Sequence, residues 1–129
     1  MYKDFDNWNE KKKSLELINS TPLFKEREVW WCSVGINVAR ESCGKGKQFQ
    51  RPVLILRKLS KFEFIGIPLT TKLKKSSWNI FLVVDGKQAN AQINQIRMFS
   101  SNRLQRRVTV VELVNFNKIK QKLETMFEL

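Results

Sequence analysis

Two segments of the chain place groups that can contact a phosphate at the ends of apolar strands. Arg51 stands directly before the apolar residues 52–56, and Thr70 and Thr71 follow a second apolar run that ends at Leu69. An arginine offers five N–H donors in a planar fork that suits phosphate, and a threonine hydroxyl can donate to a phosphoryl oxygen. The chain contains no histidine, so histidine-based catalysis and the commonest metal ligand are unavailable. Arg51 and Thr70 therefore suit a scissile phosphate better than an acyl group or a metal ion.

Each of these groups also has a simpler interpretation. Arg51 could be a surface arginine in a salt bridge, and Thr70 and Thr71 could be solvated turn residues. The polar segment at residues 35–50 exceeds the usual length of a loop, which makes it a candidate functional loop. Its only acid, Glu41, could be a base, an acceptor for the edge of a nucleobase, or a solvated acid.

Further basic and polar side chains could extend the contact with an anion, or could simply be solvated. The lysines of interest in the two basic loops are Lys45, Lys47 and Lys72. Gln95 and Arg97, at a strand end, could read bases or cap a neighbouring loop. Trp30 and Trp31 are adjacent, so they face opposite sides of a strand. One of them is expected in the core, and the other faces a partner or lies beneath the N-terminal helix.

The composition indicates one folded domain that binds a polyanion. The 129 residues suffice for one domain with a core and are too few for two large ones. The 42% hydrophobic content, with nine Phe and four Trp, argues against disorder. The net charge of +12 favours nucleic acid as partner, then an acidic protein, then an anionic membrane.

The sequence also indicates the cellular compartment in which the protein is expected. No run approaches 18 apolar residues, so no transmembrane helix is expected, and the first residues do not resemble a signal peptide. We expect a cytoplasmic chain in which Cys32 and Cys43, which lack metal-ligand spacing, are free thiols; a disulfide between them is the alternative.

The apolar pattern predicts a helix near each end of the chain. An N-terminal helix is expected over residues 4–18, and its apolar face is formed by Phe5, Trp8, Leu15 and Ile18. A C-terminal helix is expected with Asn115 as its N-cap. Its apolar face is formed by Phe116, Ile119, Leu123, Met126 and Phe127.

Short strands fill the region between the helices. They are predicted over residues 29–34, 52–56, 62–69, 78–84, 88–93 and 108–111, with residues 95–98 continuing or restarting the fifth. Asp85-Gly86 is typical of a hairpin turn, and Gly66 indicates a bulge or a close backbone approach. We therefore expect a mostly antiparallel sheet of about five to seven strands, most economically a small closed or partly open barrel.

The ordered motifs resemble the MazF/PemK toxin family, the mRNA interferases of type II toxin–antitoxin systems. The resemblance spans roughly residues 28–127. It rests on residues 29–31 with Gly35, residues 51–56, residues 68–71, and residues 95–97 with Arg103 and Leu104. The N-terminal segment resembles an extension found in one branch of the family. We accordingly expect a helical extension over residues 1–27 and a barrel domain over residues 28–129.

The resemblance implies an SH3-like barrel with a C-terminal helix, usually a homodimer, that cleaves single-stranded RNA without a metal or other cofactor. The ribose 2′-OH would attack the adjacent phosphate and leave a 2′,3′-cyclic phosphate and a 5′-OH. Arg51 and Thr70 would be the catalytic pair, and an acidic antitoxin protein would neutralise the toxin. Substrate contacts would come from Glu41, Lys45, Lys47, Thr71, Lys72, Gln95 and Arg97. Because the pKa of an arginine exceeds about 12, Arg51 suits charge stabilisation better than base catalysis, and the 2′-OH proton could pass to Glu41 or to Arg51.

The sequence departs from the family pattern at three places. Residues 37–42 lack the usual Gly and Glu-Gln, Ser100 replaces a usual acid, and Arg27 stands where Gly is common. The rival functions are a non-catalytic RNA- or DNA-binding barrel and a gyrase-inhibiting toxin resembling CcdB. CcdB-like toxins rely on a C-terminal Trp-Gly-Ile tail, and this chain reads Met126-Phe127-Glu128-Leu129 there, which disfavours the second rival.

Overall fold

Seven antiparallel strands form one curled sheet in the part of the chain that the structure describes. The computed structural model describes residues 3–18, 21–35, 44, 50–72 and 78–129. The strands are β1 (Glu28–Ser33), β2 (Gln50–Lys58), β3 (Glu63–Thr70), β4 (Asn79–Val84), β5 (Lys87–Gln92), β6 (Arg97–Ser100) and β7 (Leu104–Val110). The helices are α1 (Phe5–Glu16) and α2 (Leu113–Phe127), and short 3₁₀ turns cover Ile93–Gln95 and Ser101–Arg103. The strand order is β4-β5-β3-β2-β1-β7, and β6 pairs with β3.

The strand β3 changes its partner along its length and so curls the sheet. Its first residues pair with β6, where Gly66 faces Arg97, and its last residues pair with β5, where Thr70 faces Asn90. Its other edge pairs with β2. The result is a half-barrel with a helix at each end, which confirms the mainly β, barrel-like architecture predicted from the sequence.

The strands β2 and β3 approach each other closely at Gly66. A Cβ atom at Gly66 would lie 2.7 Å from Cγ1 of Val53, closer than two carbon atoms can pack. Opposite it, β2 carries an irregularity of register between Ile55 and Arg57. The close approach predicted at Gly66 is therefore confirmed, and the bulge lies on its partner strand.

Alternate residues of β2 enter two cores on opposite faces of the sheet. Leu54 belongs to a first core, which β4, β5 and α2 complete, whereas Val53 and Ile55 belong to a second. All three side chains are fully buried. The continuous apolar run therefore predicted burial on both faces correctly.

The first helix begins at Phe5, one residue after the predicted start, because the carboxylate of Asp4 caps it. The N–H of Asn7 donates to Oδ1 of Asp4 at 3.1 Å. Trp8 is buried, as is Leu15, but Phe5 is 50% exposed and Ile18, which lies beyond the helix, is 39% exposed. The predicted four-residue apolar face is therefore wrong at its two ends.

The second helix begins earlier than predicted. Its N-cap is Glu112, and Asn115 lies inside the helix, so the predicted cap is wrong. A backbone hydrogen bond from the N–H of Val111 to the carbonyl of Arg27, at 2.8 Å, fixes the chain immediately before the helix, a long-range constraint that local sequence does not show. Phe127, in the last turn, is 55% exposed and does not join the core.

A tight turn joins β4 to β5. Asp85 and Gly86 have φ angles of 52° and 76°, and two central residues with positive φ are what a type I′ hairpin turn requires. The hairpin predicted from this dipeptide is confirmed.

Candidate active-site cleft

A cleft of about 570 Å³ opens where the start of β2 meets the end of β3. Trp31, Arg106 and Val108 of β1 and β7 form one wall. The β4–β5 hairpin contributes Val84, Asp85, Lys87, Gln88 and Ala89 on the other side. Between them lie Gln50, Arg51, Pro52, Leu69, Thr70 and Thr71. The residues predicted to be the catalytic pair, Arg51 and Thr70, thus line the same cavity.

The antiparallel register of β2 and β3 brings this pair together. Val53 and Pro68 are Cα partners, so Arg51, two residues before Val53, comes opposite Thr70, two residues after Pro68. The guanidinium of Arg51 donates from Nη1 to the carbonyl oxygen of Leu69 at 3.2 Å. This bond holds the guanidinium against the backbone directly beside Thr70.

The hydroxyl of Thr70 has a fixed acceptor role. The backbone N–H of Lys72 donates to Oγ1 of Thr70 at 3.2 Å, in the local turn that a threonine commonly makes with a residue two positions on. A hydroxyl has one proton and two lone pairs. Because this bond uses a lone pair, the proton of Thr70 stays available for donation to a bound group.

The charges along the cleft favour an anion. Arg51, Lys87 and Arg106 contribute cationic side chains, and Asp85 contributes a carboxylate. Positive charge in a concave surface raises the local concentration of an anionic ligand. Thr71, also predicted as a contact residue, lines the cleft and is exposed.

The adjacent tryptophans separate as their alternation predicts. Trp30 is buried in the second core, and its Nε1 donates to Glu28 at 3.1 Å. Trp31 is half-buried and lines the cleft. Of the two positions left open for the second tryptophan, the structure supports the one that faces a ligand, since α1 contacts Gly35 through Trp8 instead.

Two predicted contact residues lie away from the cleft. Arg97 begins β6, opposite Gly66 of β3, and its guanidinium lies 4.7 Å from the ring centre of Phe99. Gln95 lies in the 3₁₀ turn before β6. Thr70 lies four positions after Gly66 in β3, which is about 13 Å along a strand. Within the described part of one chain, the structure does not bring Arg97 to Arg51 and Thr70.

Of the remaining predicted substrate contacts, one lies beside the cleft and three lie outside the described residues. Lys72 is exposed beside the cleft, and its backbone rather than its side chain bonds to Thr70. Glu41, Lys45 and Lys47 lie outside the described residues, so their roles stay predictions.

The structure adds cleft residues that sequence patterns did not single out. Arg106 enters the site because it is the Cα partner of Trp31 across β1 and β7. Asp85 and Lys87 enter because β5, which follows the hairpin turn, pairs with the end of β3; the sequence indicated that turn only as a connection. The alternation of Arg106 with Val108 indicates a strand in the sequence, but it does not show that this strand pairs with β1.

The buried thiol lies on the opposite face. Cys32 is fully buried in the second core and is a free cysteine, as predicted, while Cys43 falls outside the described residues. Burial raises the pKa of the Cys32 thiol to about 12, which makes it a poor nucleophile. Among the residues that the structure covers, no group of three or more Cys, Asp or Glu side chains could hold a metal ion. None of the helices in these ranges is long and apolar enough to cross a membrane.

Comparisons with known proteins agree with this architecture. Residues 25–127 match the family described as PemK-like, MazF-like toxins of type II toxin–antitoxin systems. No curated protein matches the sequence at a significant level. Among the solved structures that are similar in fold, three share 13–16% identity with this chain.

Each of these three structures is a toxin or an endoribonuclease. A mycobacterial endoribonuclease in complex with its cognate antitoxin superposes with a TM-score of 0.64 and 16% identity, covering 83% of this chain and 97% of that one. A MazF toxin of Mycobacterium tuberculosis gives 0.63 and 13%, covering 80% and 98%. MazF from Deinococcus radiodurans gives 0.67 and 15%, covering 86% and 100%. With the match over residues 25–127, the chain belongs to the PemK-like and MazF-like toxin family of type II toxin–antitoxin systems.

Proposed function

We propose that this chain is a toxin endoribonuclease that cleaves single-stranded RNA. The observation that carries the proposal is the position of the Arg51 guanidinium, bonded to Leu69 and beside Thr70 in a cationic cleft. A guanidinium and a hydroxyl at adjacent strand ends can contact one phosphate together. Membership of the toxin family, and the endoribonuclease among the similar structures, support the same activity.

In the proposed reaction, the ribose 2′-oxygen forms a bond to phosphorus while the bond from phosphorus to the 5′-oxygen breaks. The products are a 2′,3′-cyclic phosphate and a 5′-OH. Arg51 would stabilise the negative charge that develops on the phosphoryl group, and Thr70 would donate its proton in a hydrogen bond to a non-bridging oxygen. Holding the 2′-OH in line with the leaving oxygen would supply much of the remaining acceleration.

The 2′-OH proton needs an acceptor, and the leaving 5′-oxygen takes up a proton, which solvent in the open cleft would supply. A guanidinium is a poor acceptor at neutral pH because its pKa lies above about 12. In the described part of the cleft, the carboxylate that could accept the proton is Asp85. Glu41 is the candidate from the sequence. The pH profiles of Asp85→Asn and Glu41→Gln would distinguish them, since only loss of the true base removes the limb of the profile on the acidic side.

The proposal extends to partners and location. The chain carries a net charge of +12, which suits both RNA and an acidic antitoxin, and the mycobacterial endoribonuclease is bound to its own antitoxin. We propose an acidic antitoxin as partner, a homodimeric assembly, and action in the cytoplasm. Sedimentation of the purified toxin, alone and with an acidic antitoxin, tests the assembly.

A digest of end-labelled single-stranded RNA in the presence of EDTA tests the proposed chemistry. Wild-type protein is expected to cleave and to leave 2′,3′-cyclic phosphate ends, and Arg51→Ala is expected to lose cleavage. The matched control is Arg57→Ala, because Arg57 lies on the same strand β2 and is exposed outside the cleft.

The outcomes separate the alternatives. Cleavage by wild type and Arg57→Ala but not by Arg51→Ala would support the proposal. Cleavage that EDTA abolishes would overturn the metal-free route. Tight RNA binding without cleavage of diverse RNAs would favour the non-catalytic binding protein.

A further inference from the structure

A buried asparagine lies directly behind the candidate hydroxyl donor. Asn90 of β5 is the Cα partner of Thr70 in β3, and its side chain is fully buried. It stands between Ala89 and Ala91, both of which belong to the first core. Because successive side chains of a strand alternate between faces, the Asn90 amide points away from that core, toward the face of the sheet that also carries its partner Thr70.

The amide of Asn90 is hydrogen-bonded to the backbone of Lys72, and Lys72 in turn is hydrogen-bonded to Thr70. Its Nδ2 donates to the backbone carbonyl of Lys72 at 2.8 Å. The N–H of the same Lys72 donates to Oγ1 of Thr70 at 3.2 Å. The backbone of Lys72 is therefore bonded at its carbonyl to Asn90 and at its N–H to the hydroxyl of Thr70.

This arrangement restrains the hydroxyl oxygen of Thr70. A threonine side chain can rotate among staggered positions, and the bond from the Lys72 N–H favours those that keep Oγ1 within its reach. While that bond is made, the hydroxyl proton is free to point elsewhere. Asn90 thus limits the movement of Lys72, whose N–H restricts the rotamer of Thr70.

The fold itself gains little from the second polar atom of this amide. Oδ1 of Asn90 is buried, and within the described residues it has no hydrogen-bond partner. A buried acceptor without a partner costs stability, and an apolar residue of similar size would avoid that cost. A buried polar residue that leaves one of its atoms unpaired and bonds next to a candidate catalytic group points to a role in the reaction.

We propose that Asn90 is a positioning residue for Thr70, which it orients through the backbone of Lys72. The proposal rests on the proposed endoribonuclease function. It places Asn90 outside contact with RNA, so its loss should affect the chemical step and leave substrate binding unchanged.

The test compares Asn90→Leu, which keeps the number and branching of the side-chain heavy atoms and removes both polar atoms, with Asn90→Ala. For both variants kcat for RNA cleavage is expected to fall by about 10- to 100-fold, the scale of a small misplacement of a reacting group. KM and RNA affinity should stay within about twofold, because Asn90 does not reach the substrate. The melting temperature of Asn90→Leu should stay near that of wild type, because the lost bond to Lys72 is offset by removal of the unpaired Oδ1. The matched control is Asn102→Ala, which also removes a bond from an asparagine Nδ2 to a backbone carbonyl, that of Leu15 at 3.1 Å.

A double-mutant cycle separates positioning from general support of the fold. In a Thr70→Val background, which has no hydroxyl to orient, Asn90→Leu is expected to leave the residual rate unchanged. The same fold-loss with and without the hydroxyl would overturn the proposal, as would unchanged kcat in Asn90→Leu. If wild type itself leaves RNA intact, the proposed function fails and the role of Asn90 fails with it; active wild type with unaffected Asn90 variants rejects the positioning role alone.

Discussion

The Nη1 atom of Arg51 lies 3.2 Å from the carbonyl oxygen of Leu69, so the guanidinium is fixed by the backbone that leads into Thr70. An arginine held in this way presents its planar fork in one orientation. A lysine would keep the charge but could not reproduce the fork, and its single ammonium could not bond to Leu69 and a phosphate with the same geometry.

Arg51→Lys is therefore expected to bind RNA nearly as well as wild type while cleaving at least about 100-fold more slowly, the usual cost of losing one preorganised donor to a developing charge. Single-turnover cleavage and filter binding measure the two effects separately. Arg57→Lys, on the same strand outside the cleft, should change neither. A rate near that of wild type in Arg51→Lys would show that charge alone suffices at this position.

The hydroxyl of Thr70 can be tested without altering its shape. Thr70→Val keeps the branched side chain and removes the donor, whereas Thr70→Ser keeps the donor and removes a methyl group. We expect Thr70→Val to lose about 100-fold in kcat and Thr70→Ser to lose much less, because the proton and not the methyl contacts the phosphate. Equal losses in both variants, measured at saturating RNA, would assign Thr70 a packing role instead.

The position of Arg51 beside Thr70 could be predicted from the sequence because a short hairpin joins β2 to β3. In an antiparallel hairpin the first residues of one strand lie beside the last residues of the next, so a cation before one apolar run meets the hydroxyl after the other. The same local reasoning predicted the Asp85-Gly86 turn, because residues that tolerate positive φ identify it.

The rest of the cleft depends on pairings between distant parts of the chain. Arg106 reaches the site only because β7 pairs with β1, and Asn90 reaches Thr70 only because β3 leaves β6 and pairs with β5. Such contacts leave no local pattern in the sequence. The family resemblance predicts Arg97 as a substrate contact. Within one chain, however, Arg97 lies on β6, which pairs with the first half of β3, whereas Thr70 lies in the second half, which pairs with β5.

The N-terminal helix is attached through a contact that only glycine allows. Gly35 has φ of +86°, and a Cβ atom there would overlap the indole of Trp8, a residue that is itself buried. Gly86 also has positive φ, +76°, but a Cβ atom there would meet nothing within 4 Å. The two glycines thus share a backbone conformation and differ in surroundings.

Gly86→Ala is expected to lower the free energy of unfolding by about 1 to 2 kcal/mol, the cost of left-handed backbone in an L-residue. Gly35→Ala should cost a further 1 to 3 kcal/mol, roughly, because it also overpacks against Trp8. Urea denaturation measures both. Replacing Trp8 by Ala as well should bring the cost of Gly35→Ala down to that of Gly86→Ala; an unchanged cost would show that the indole is not the obstacle.

A buried carboxylate makes stability depend on pH. Glu28 is 5% exposed and accepts hydrogen bonds from the N–H of Lys25, from Trp30 and from Arg107. Burial alone would raise the pKa of Glu28, but these bonds and the charge of Arg107 lower it below 4.5. A lowered pKa in the folded state means that the unfolded state binds the proton more tightly.

The contribution of Glu28 to stability is therefore complete above pH 4.5, and it is lost as the pH falls from there through the lower folded pKa. Glu28→Gln should be less stable than wild type at neutral pH, and the difference should shrink on acidification through this range. Unfolding in urea between neutral pH and pH of about 3 tests it. Glu26→Gln, at an exposed position nearby, is the control; a constant gap between Glu28→Gln and wild type would refute the linkage.

Arg27 holds a backbone conformation that disfavours its own side chain. Its φ is +75°, and it occupies the position at which the family resemblance predicts a Gly. Its side chain offsets part of the strain, because Nε donates to the carbonyl of Val111 at 3.1 Å. Arg27→Gly and Arg27→Ala both lose this bond, but only glycine relieves the left-handed strain. We expect Arg27→Gly to be more stable than Arg27→Ala by about 1 to 2 kcal/mol, the reverse of their usual order, in denaturant unfolding. Equal stability of the two variants would mean that the backbone relaxes at Arg27, and that its hydrogen bonds to Ile55 and Val111 do not impose the positive φ.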